Sequence, residues 1–337
     1  MRWIACLTGL TALSVPMAGV AQDRPLPVID MHLHAVPAAS QGPPPLAMCT
    51  QQEFPPGDAA RPWSEVFGEH IRKPLCQDPI WSPETDEELM RRTLTILERR
   101  NIIGVASGPA EMVRRWDEAS PDRIIRGLSF NLGRDAIPPE ALRRMHERGE
   151  LEVFGEVGNQ YAGIGPSDSI FDPYLAVAEE IDVPVAIHIG TGPPGAPYLG
   201  FSRYRARFHS PLLLEEALLR HPRLRVYVMH AGWPMLDDLL ALMWTHPNVY
   251  VDVGVIVYAL PRAGFYRYLQ RIVEAGFGKR VMFGSDQMVW PETIERSILT
   301  IEEAPFLSED QKRDILYNNA ARFLRLGEAE IAKHHGR

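Results

Sequence analysis

The sequence predicts a single (β/α)8 barrel, the TIM-barrel architecture, and three observations carry that prediction. At 337 residues the chain is longer than an ordinary domain, yet within the span over which one α/β barrel forms a single unit. From residue 27 to residue 284, strand-like runs alternate with helix-like segments, and the strand runs number eight, as barrel closure requires. Several runs, such as Val183-Pro184-Val185-Ala186-Ile187 and Leu224-Arg225-Val226-Tyr227-Val228-Met229, are almost continuously apolar, as parallel strands covered by helices should be. An open doubly wound sheet is the alternative, but no Gly-x-Gly-x-x-Gly follows the first run, as nucleotide binding there needs.

In chain order, residues 1–21 read as an export signal. Arg2 supplies a short positive region, residues 3–13 an apolar stretch, and Gly19-Val20-Ala21 a small-residue cleavage site. Thr8, Thr11, Ser14 and Pro16 interrupt a stretch that falls short of the ~20 apolar residues of a membrane span. The mature chain, 22–337, is therefore expected to be periplasmic or secreted, with no membrane attachment after cleavage. The first strand run covers 27–34. Residues 37–83 follow it as an insertion holding 10 prolines, including Pro43-Pro44-Pro45 and Pro55-Pro56, a density that argues against any regular helix or central strand. A lid is the expectation for so long an irregular stretch. Cys49 and Cys76, the two cysteines left after cleavage, are expected to bond in an oxidising compartment and tie this lid down, free buried thiols being the alternative. Closing such a loop stabilises by roughly 3–4 kcal/mol in the chain-entropy model.

The remaining strands are expected at 102–107, 123–130, 151–157, 183–189, 224–230, 249–253 and 280–284. Helices are expected between them at 84–100, 111–119, 139–148, 173–181, 211–220, 234–245 and 262–275, with 293–303 and 309–326 closing the chain. Breakers agree with these boundaries: Pro184 and Pro222 precede strands, and His246-Pro247 ends a helix. His221 and His246 read as helix C-terminal caps, His146 as solvated, and His334 and His335 as tail residues.

Composition excludes several classes of function. Apolar residues make up 45% and charged residues 23%, which suits a globular core and excludes disorder. A net charge of −8 and an isoelectric point near 5.8 argue against a nucleic-acid footprint. A small-molecule substrate is the expected partner; homo-oligomerisation is left open.

Chemistry in a barrel sits where strands end and the following loops begin. Those ends read Asp30-Met31-His32-Leu33-His34, Gly155-Glu156-Val157, Ile187-His188-Ile189, Met229-His230-Ala231 and Gly284-Ser285-Asp286. Four of the 11 histidines and two further acids, Glu156 and Asp286, thus converge on one rim. Residues i and i+2 of a strand face the same side, so His32 and His34 can share one cation. Imidazole and carboxylate ligands suit zinc, with manganese or iron as options, better than calcium or magnesium, and three imidazoles with one carboxylate leave the open position that catalysis requires.

The Asp30-x-His32-x-His34 motif, the histidines at 188 and 230, and Gly284-Ser285-Asp286 closely resemble the amidohydrolase superfamily. The similarity is to its amidohydrolase-related branch, which includes aminocarboxymuconate-semialdehyde decarboxylase; the late Asn318-Asn319-Ala320-Ala321-Arg322-Phe323-Leu324 segment fits the same group. The resemblance spans Pro27 to about Leu326. It implies that His32, His34, His188 and Asp286 ligate one divalent metal and that His230 acts on the substrate or its water. Relatives place a carboxylated lysine or, in TatD-type hydrolases, a glutamate on the fourth strand to bridge two metals. Glu156 would either do this or orient an imidazole from outside the ligand set, so one or two ions are expected.

The expected activity is hydrolysis of an ester, lactone or amide of a small organic substrate. Asp286 would serve as ligand and general base, and His230 would polarise the carbonyl. Non-oxidative decarboxylation of an aromatic or unsaturated carboxylic acid is the first alternative, and a catalytically silent binding protein on the same barrel the second. Arg203, Arg205 and Arg207 after the fifth strand, and Arg262 after the seventh, read either as clamps for a substrate carboxylate or as solvated loop cations. Tyr161, with Asn159 and Gln160, stands on the same rim as a pocket-lining candidate, as do Trp233 and Trp290.

Overall fold

The computed structural model describes residues 24–135 and 137–337; the expected export signal, with Cys6, lies outside the described residues. The chain opens with strand β1 (Val28–His34) and then enters the insertion, which contains β2 (Ala47–Met48), helix α1 (Trp63–Arg72) and β3 (Ile80–Trp81). Alternation follows: α2 (Asp86–Arg99), β4 (Ile102–Ser107), α3 (Ala110–Ala119), β5 (Ile124–Phe130), α4 (Glu140–Glu147), β6 (Val153–Val157), α5 (Asp172–Glu180), β7 (Val185–His188), α6 (Glu215–Arg220), β8 (Val226–Met229), α7 (Leu236–Thr245) and β9 (Val249–Asp252). Short α8 (Ile256–Ala259) and α9 (Arg262–Ile272) lead to β10 (Val281–Met282), and α10 (Thr293–Glu302), α11 (Glu309–Arg313), α12 (Asn319–Leu324) and α13 (Glu328–His334) complete the chain.

Strands β1 and β4 to β10 form one eight-stranded sheet in sequential order, every pair parallel. Backbone hydrogen bonds from Met31 to Phe283 (2.9 Å) and from Asp286 to His32 (2.7 Å) carry the last strand back to the first. The expected barrel is thus the observed fold.

Local sequence explains the elements. Thr85 caps α2 by accepting from the Glu88 amide at 3.2 Å, Asp86, Glu87 and Glu88 occupy its positive first turn, and Leu89, Thr93, Ile96 and Leu97 recur on its buried face. Each large aliphatic side chain buried this way contributes about 1.5–3 kcal/mol. One core layer lies between strands and helices; a second fills the barrel interior with Ile29, Met31, Val105, Val153, Tyr227, Met229 and Met282.

The insertion differs in one respect from expectation: Trp63–Arg72 is a regular helix. Pro62 and Pro74 bracket it and none lies within, so the prolines of 37–83 bound a helix here rather than forbid one. Cys49 and Cys76 are disulfide-bonded, β2 pairs antiparallel with β3, and the Trp63 indole donates to the Pro194 carbonyl at 2.7 Å, pinning the insertion to the loop after β7. His221 and His246 occupy the C-cap positions of α6 and α7. The tail forms α13 instead of trailing off, with His334 Nδ1 3.0 Å from the Tyr317 hydroxyl. No helix among the described residues is long and apolar enough to cross a membrane.

Candidate metal centre

The C-terminal ends of the strands bring His32, His34, Glu156, His188, His230 and Asp286 together. The register of β1 against β4 slips between Asp30 and Leu33, where the histidine motif sits; irregularities of this kind re-aim side chains beside active sites. His230 and Asp286 both have positive φ, 57° and 54°, the left-handed region that non-glycine residues adopt at a cost of order 1–3 kcal/mol.

Glu156, whose side chain keeps 18% exposure, stands in the middle. Its carboxylate oxygens lie 3.8 Å from His32 Nε2, 3.5 Å from His34 Nε2, 3.7 Å from His188 Nε2 and 3.9 Å from His230 Nε2. Asp286 Oδ1 approaches His34 Nε2 to 2.9 Å and His32 Nε2 to 3.6 Å, and its Oδ2 is 3.8 Å from His230 Nδ1. Three sets of donor atoms come within 4.8 Å of one another: His32, His34 and Glu156; Glu156, His188 and His230; and His32, His230 and Asp286. His188 therefore meets Glu156 and His230, and the two Glu156 sets lie side by side.

This donor set suits a divalent transition ion. It consists of imidazoles and carboxylates, and His32 Nε2, His230 Nε2 and Asp286 Oδ1 are buried with no aligned hydrogen-bond partner among the described residues. Buried polar atoms without partners are costly, so lone pairs gathered around a common point call for a cation there.

Charge is strongly coupled across the cluster. Burial favours the neutral carboxyl of Glu156, but His230, His32, His188 and His34 overcome it and hold the group well below the usual range. Asp286 is likewise lowered, His32, His34 and His230 outweighing burial. Burial pulls His32 down, yet Asp286 and Asp252 push it well above its ordinary value; His230 is raised by Glu156 and Asp286 against the same opposition. His188 goes the other way, lowered by burial and by its neighbour His230.

Supporting residues fix these side chains. Asp30 Oδ1 accepts from the His32 and Ser285 amides (3.0 and 2.9 Å), and its burial raises that carboxyl to about 6. The Gln287 amide brackets the His34 backbone, accepting from its N–H at 2.9 Å and donating to its carbonyl at 2.8 Å. Gln160 donates to the His188 carbonyl at 2.5 Å, and the Tyr161 hydroxyl sits 3.1 Å from His188 Nε2. Asp252, at the end of β9, accepts from the His230 and Gly254 amides at 3.1 and 2.8 Å. Sequence reasoning passed over Asp252 and Gln287. An acid closing the otherwise hydrophobic run Val249-Tyr250-Val251-Asp252 was the available signal for the first; nothing in sequence marked the second.

Among the other candidates, Tyr161 lies against His188. Arg203 and Arg207 are exposed, the latter with its guanidinium 5.0 Å from the Phe208 ring centre. Arg205 donates to the Ser202 and Tyr204 carbonyls, and Arg262 pairs with Glu303 at 2.9 Å and Tyr266 at 3.1 Å. Trp290 is buried and donates to the Leu46 carbonyl at 2.8 Å.

Comparison with solved structures returns the same fold at low sequence identity. A Novosphingobium aromaticivorans 5-carboxyvanillate decarboxylase complexed with manganese and 4-hydroxy-3-methoxy-5-nitrobenzoic acid is 13% identical, with a TM-score of 0.55 over 90% of this chain and 97% of that one. The 4-oxalomesaconate hydratase LigJ of Rhodopseudomonas palustris is 18% identical, with a TM-score of 0.54 over 91% and 98%. A Pseudomonas putida protein, provisionally named a 2-pyrone-4,6-dicarboxylic acid hydrolase, is 14% identical, with a TM-score of 0.55 over 89% and 98%. No curated protein matches the sequence. The sequence profile of the family described as Amidohydrolase matches residues 29–326. The chain belongs to the amidohydrolase family.

Proposed function

We propose that this protein is a metal-dependent hydrolase that cleaves an ester, lactone or amide of a small organic substrate. The observation that carries the reading is the position of Glu156, within 3.9 Å of four imidazoles and beside an ionised Asp286. His32, His34 and Asp286 would hold one ion and His188 would serve a second, each with Glu156 in reach, so the donor set supports two ions while His230 stays free for the substrate. Zinc is the ion best suited to this donor set, with manganese or iron as substitutes; a structural neighbour carries manganese. When bound, such an ion supplies Lewis-acid activation of water and of the carbonyl oxygen.

The chain's own residues carry the protons. Asp286, held as a carboxylate by its histidine neighbours, takes a proton from the attacking water and returns it to the leaving alkoxide or amine as the carbon–heteroatom bond breaks. His230 keeps Nδ1 3.0 Å from the Gly254 carbonyl, which leaves Nε2 to face the site and steady charge on the carbonyl oxygen. Arg203, Arg207 and Tyr161 remain candidates for substrate contact. The disulfide and the N-terminal signal pattern support export to an oxidising compartment.

The test is a panel of small esters, lactones, amides and carboxylates given to the metal-loaded protein. Stoichiometric acid release supports hydrolysis. Carbon dioxide release from a carboxylate would replace it with decarboxylation, in which Asp286 protonates carbon. No turnover at full metal loading would leave a binding protein.

A further inference from the structure

We propose that Asp252 is the positioning residue of the centre: it fixes which nitrogen of His32 is presented to the metal, and it holds His230 in the same grip. This rests on the metal-binding reading above. Asp252 is fully buried at the end of β9, and its two oxygens are divided between two partners. Oδ1 accepts from the His230 and Gly254 amides, at 3.1 and 2.8 Å. Oδ2 lies 3.2 Å from His32 Nδ1 and has no other partner among the described residues, so within these the imidazole and the carboxylate can satisfy only each other. The contact is within hydrogen-bonding distance but lacks the alignment of a hydrogen bond. With Nδ1 spent on Asp252, His32 Nε2 is the nitrogen left facing Glu156 and Asp286, at 3.8 and 3.6 Å.

Two glycines give this contact its room. A Cβ at Gly254 would fall 2.5 Å from His32 Nδ1 and 3.1 Å from Asp252 Oδ1. A Cβ at Gly284 would fall 2.9 Å from His32 Cβ and 3.2 Å from Asp252 Cγ. Neither glycine has a positive φ, so neither is required by backbone conformation. Their use here is spatial: they form a cradle that brings the ring against the carboxylate. The Gly254 carbonyl then takes His230 Nδ1 at 3.0 Å, so one short segment orients two histidines from different strands. Carboxylates behind ligating imidazoles set the tautomer and raise ligand basicity, and their loss lowers metal affinity by about 10- to 100-fold.

The experiment compares wild type with Asp252→Asn, in which Oδ1 still serves both backbone amides while an amide N–H replaces the acceptor facing Nδ1. Zinc affinity is measured by chelator competition, and thermal unfolding of the metal-free proteins is followed in parallel. The expected result is about a 10- to 100-fold weaker zinc affinity with the metal-free midpoint retained. Gly254→Ala, which fills the cradle, is expected to weaken zinc in the same direction. Unchanged zinc affinity in folded Asp252→Asn overturns the proposal, and so does a lowered midpoint with wild-type affinity, which is the behaviour of a structural residue. A measurement on wild type alone stands beside these: nitrogen NMR of the cadmium-loaded protein should show cadmium coupled to His32 Nε2 and a proton on Nδ1. Cadmium on Nδ1 overturns the positioning role while the metal reading survives; failure of wild type to bind zinc or cadmium removes both.

Discussion

Asp286 Oδ1 stands 2.9 Å from His34 Nε2 without the alignment of a hydrogen bond between them. A cation shared between them would account for two lone pairs that approach this closely without pointing at each other. That relationship joins the loop after the last strand to the end of the first.

Replacement of Asp286 by Asn removes the proton acceptor while keeping shape. The expected outcome is a fall in kcat of about 100- to 10,000-fold with the fold retained, measured by steady-state kinetics and circular dichroism. Wild-type turnover in this variant would take Asp286 out of the reaction.

Metal analysis of the purified protein is expected to find about two equivalents, and Glu156→Gln to reduce that number, because the variant replaces one of the two carboxylate oxygens, Oε2 toward His32 and His34 and Oε1 toward His188 and His230, with an amide nitrogen that cannot ligate. A content of about one equivalent in wild type, unaltered by the substitution, would mean that Glu156 orients an imidazole instead.

His209 is buried against Tyr204 and His188, and burial lowers it to about 4. It is therefore neutral in the folded chain, whereas the unfolded chain protonates it near 6.5. Its stabilising contribution is complete above about pH 6.5 and is lost as pH falls toward 4, on the order of 3 kcal/mol across that window. Urea unfolding of wild type and His209→Phe at the two ends of the window should show a smaller acid loss in the variant. Parallel losses would rule this residue out as a source of acid lability.

Cys76→Ser frees the insertion from its covalent tie. Stability is expected to fall by about 2–4 kcal/mol, and proteolytic cleavage between residues 50 and 75 to accelerate, as read by unfolding curves and timed digestion. Digestion at the wild-type rate would show that the Trp63 bond to Pro194 and the β2–β3 pair hold the insertion unaided.

Much of this molecule was legible in its sequence, for reasons that differ by element. The barrel strands announced themselves because parallel strands are apolar on both faces; the run at 102–107 matches its strand end to end. That six side chains would converge was legible because several histidines and acids at successive strand ends of one barrel share one rim, although any one of them alone reads as an ordinary core or surface residue. What stayed hidden depends on three-dimensional pairing. Asp252 looks like any acid at a strand terminus until His32, far away in sequence, is laid against it. Gln287 is an ordinary polar residue until its amide brackets the His34 backbone. The helix at Trp63–Arg72 was obscured by a regional count of prolines that ignored where the individual rings fall.

Ser285, Asp286 and Gln287 are stitched in turn to Asp30, His32 and His34. The contacts that close the ring therefore also complete the centre. A chain that lacks this segment holds the first two histidines but cannot own a finished binding pocket. Fragments that stop short of it should be inert toward metal however well their strands assemble, whereas two separately expressed halves, split in an exposed loop, should recover binding only when mixed.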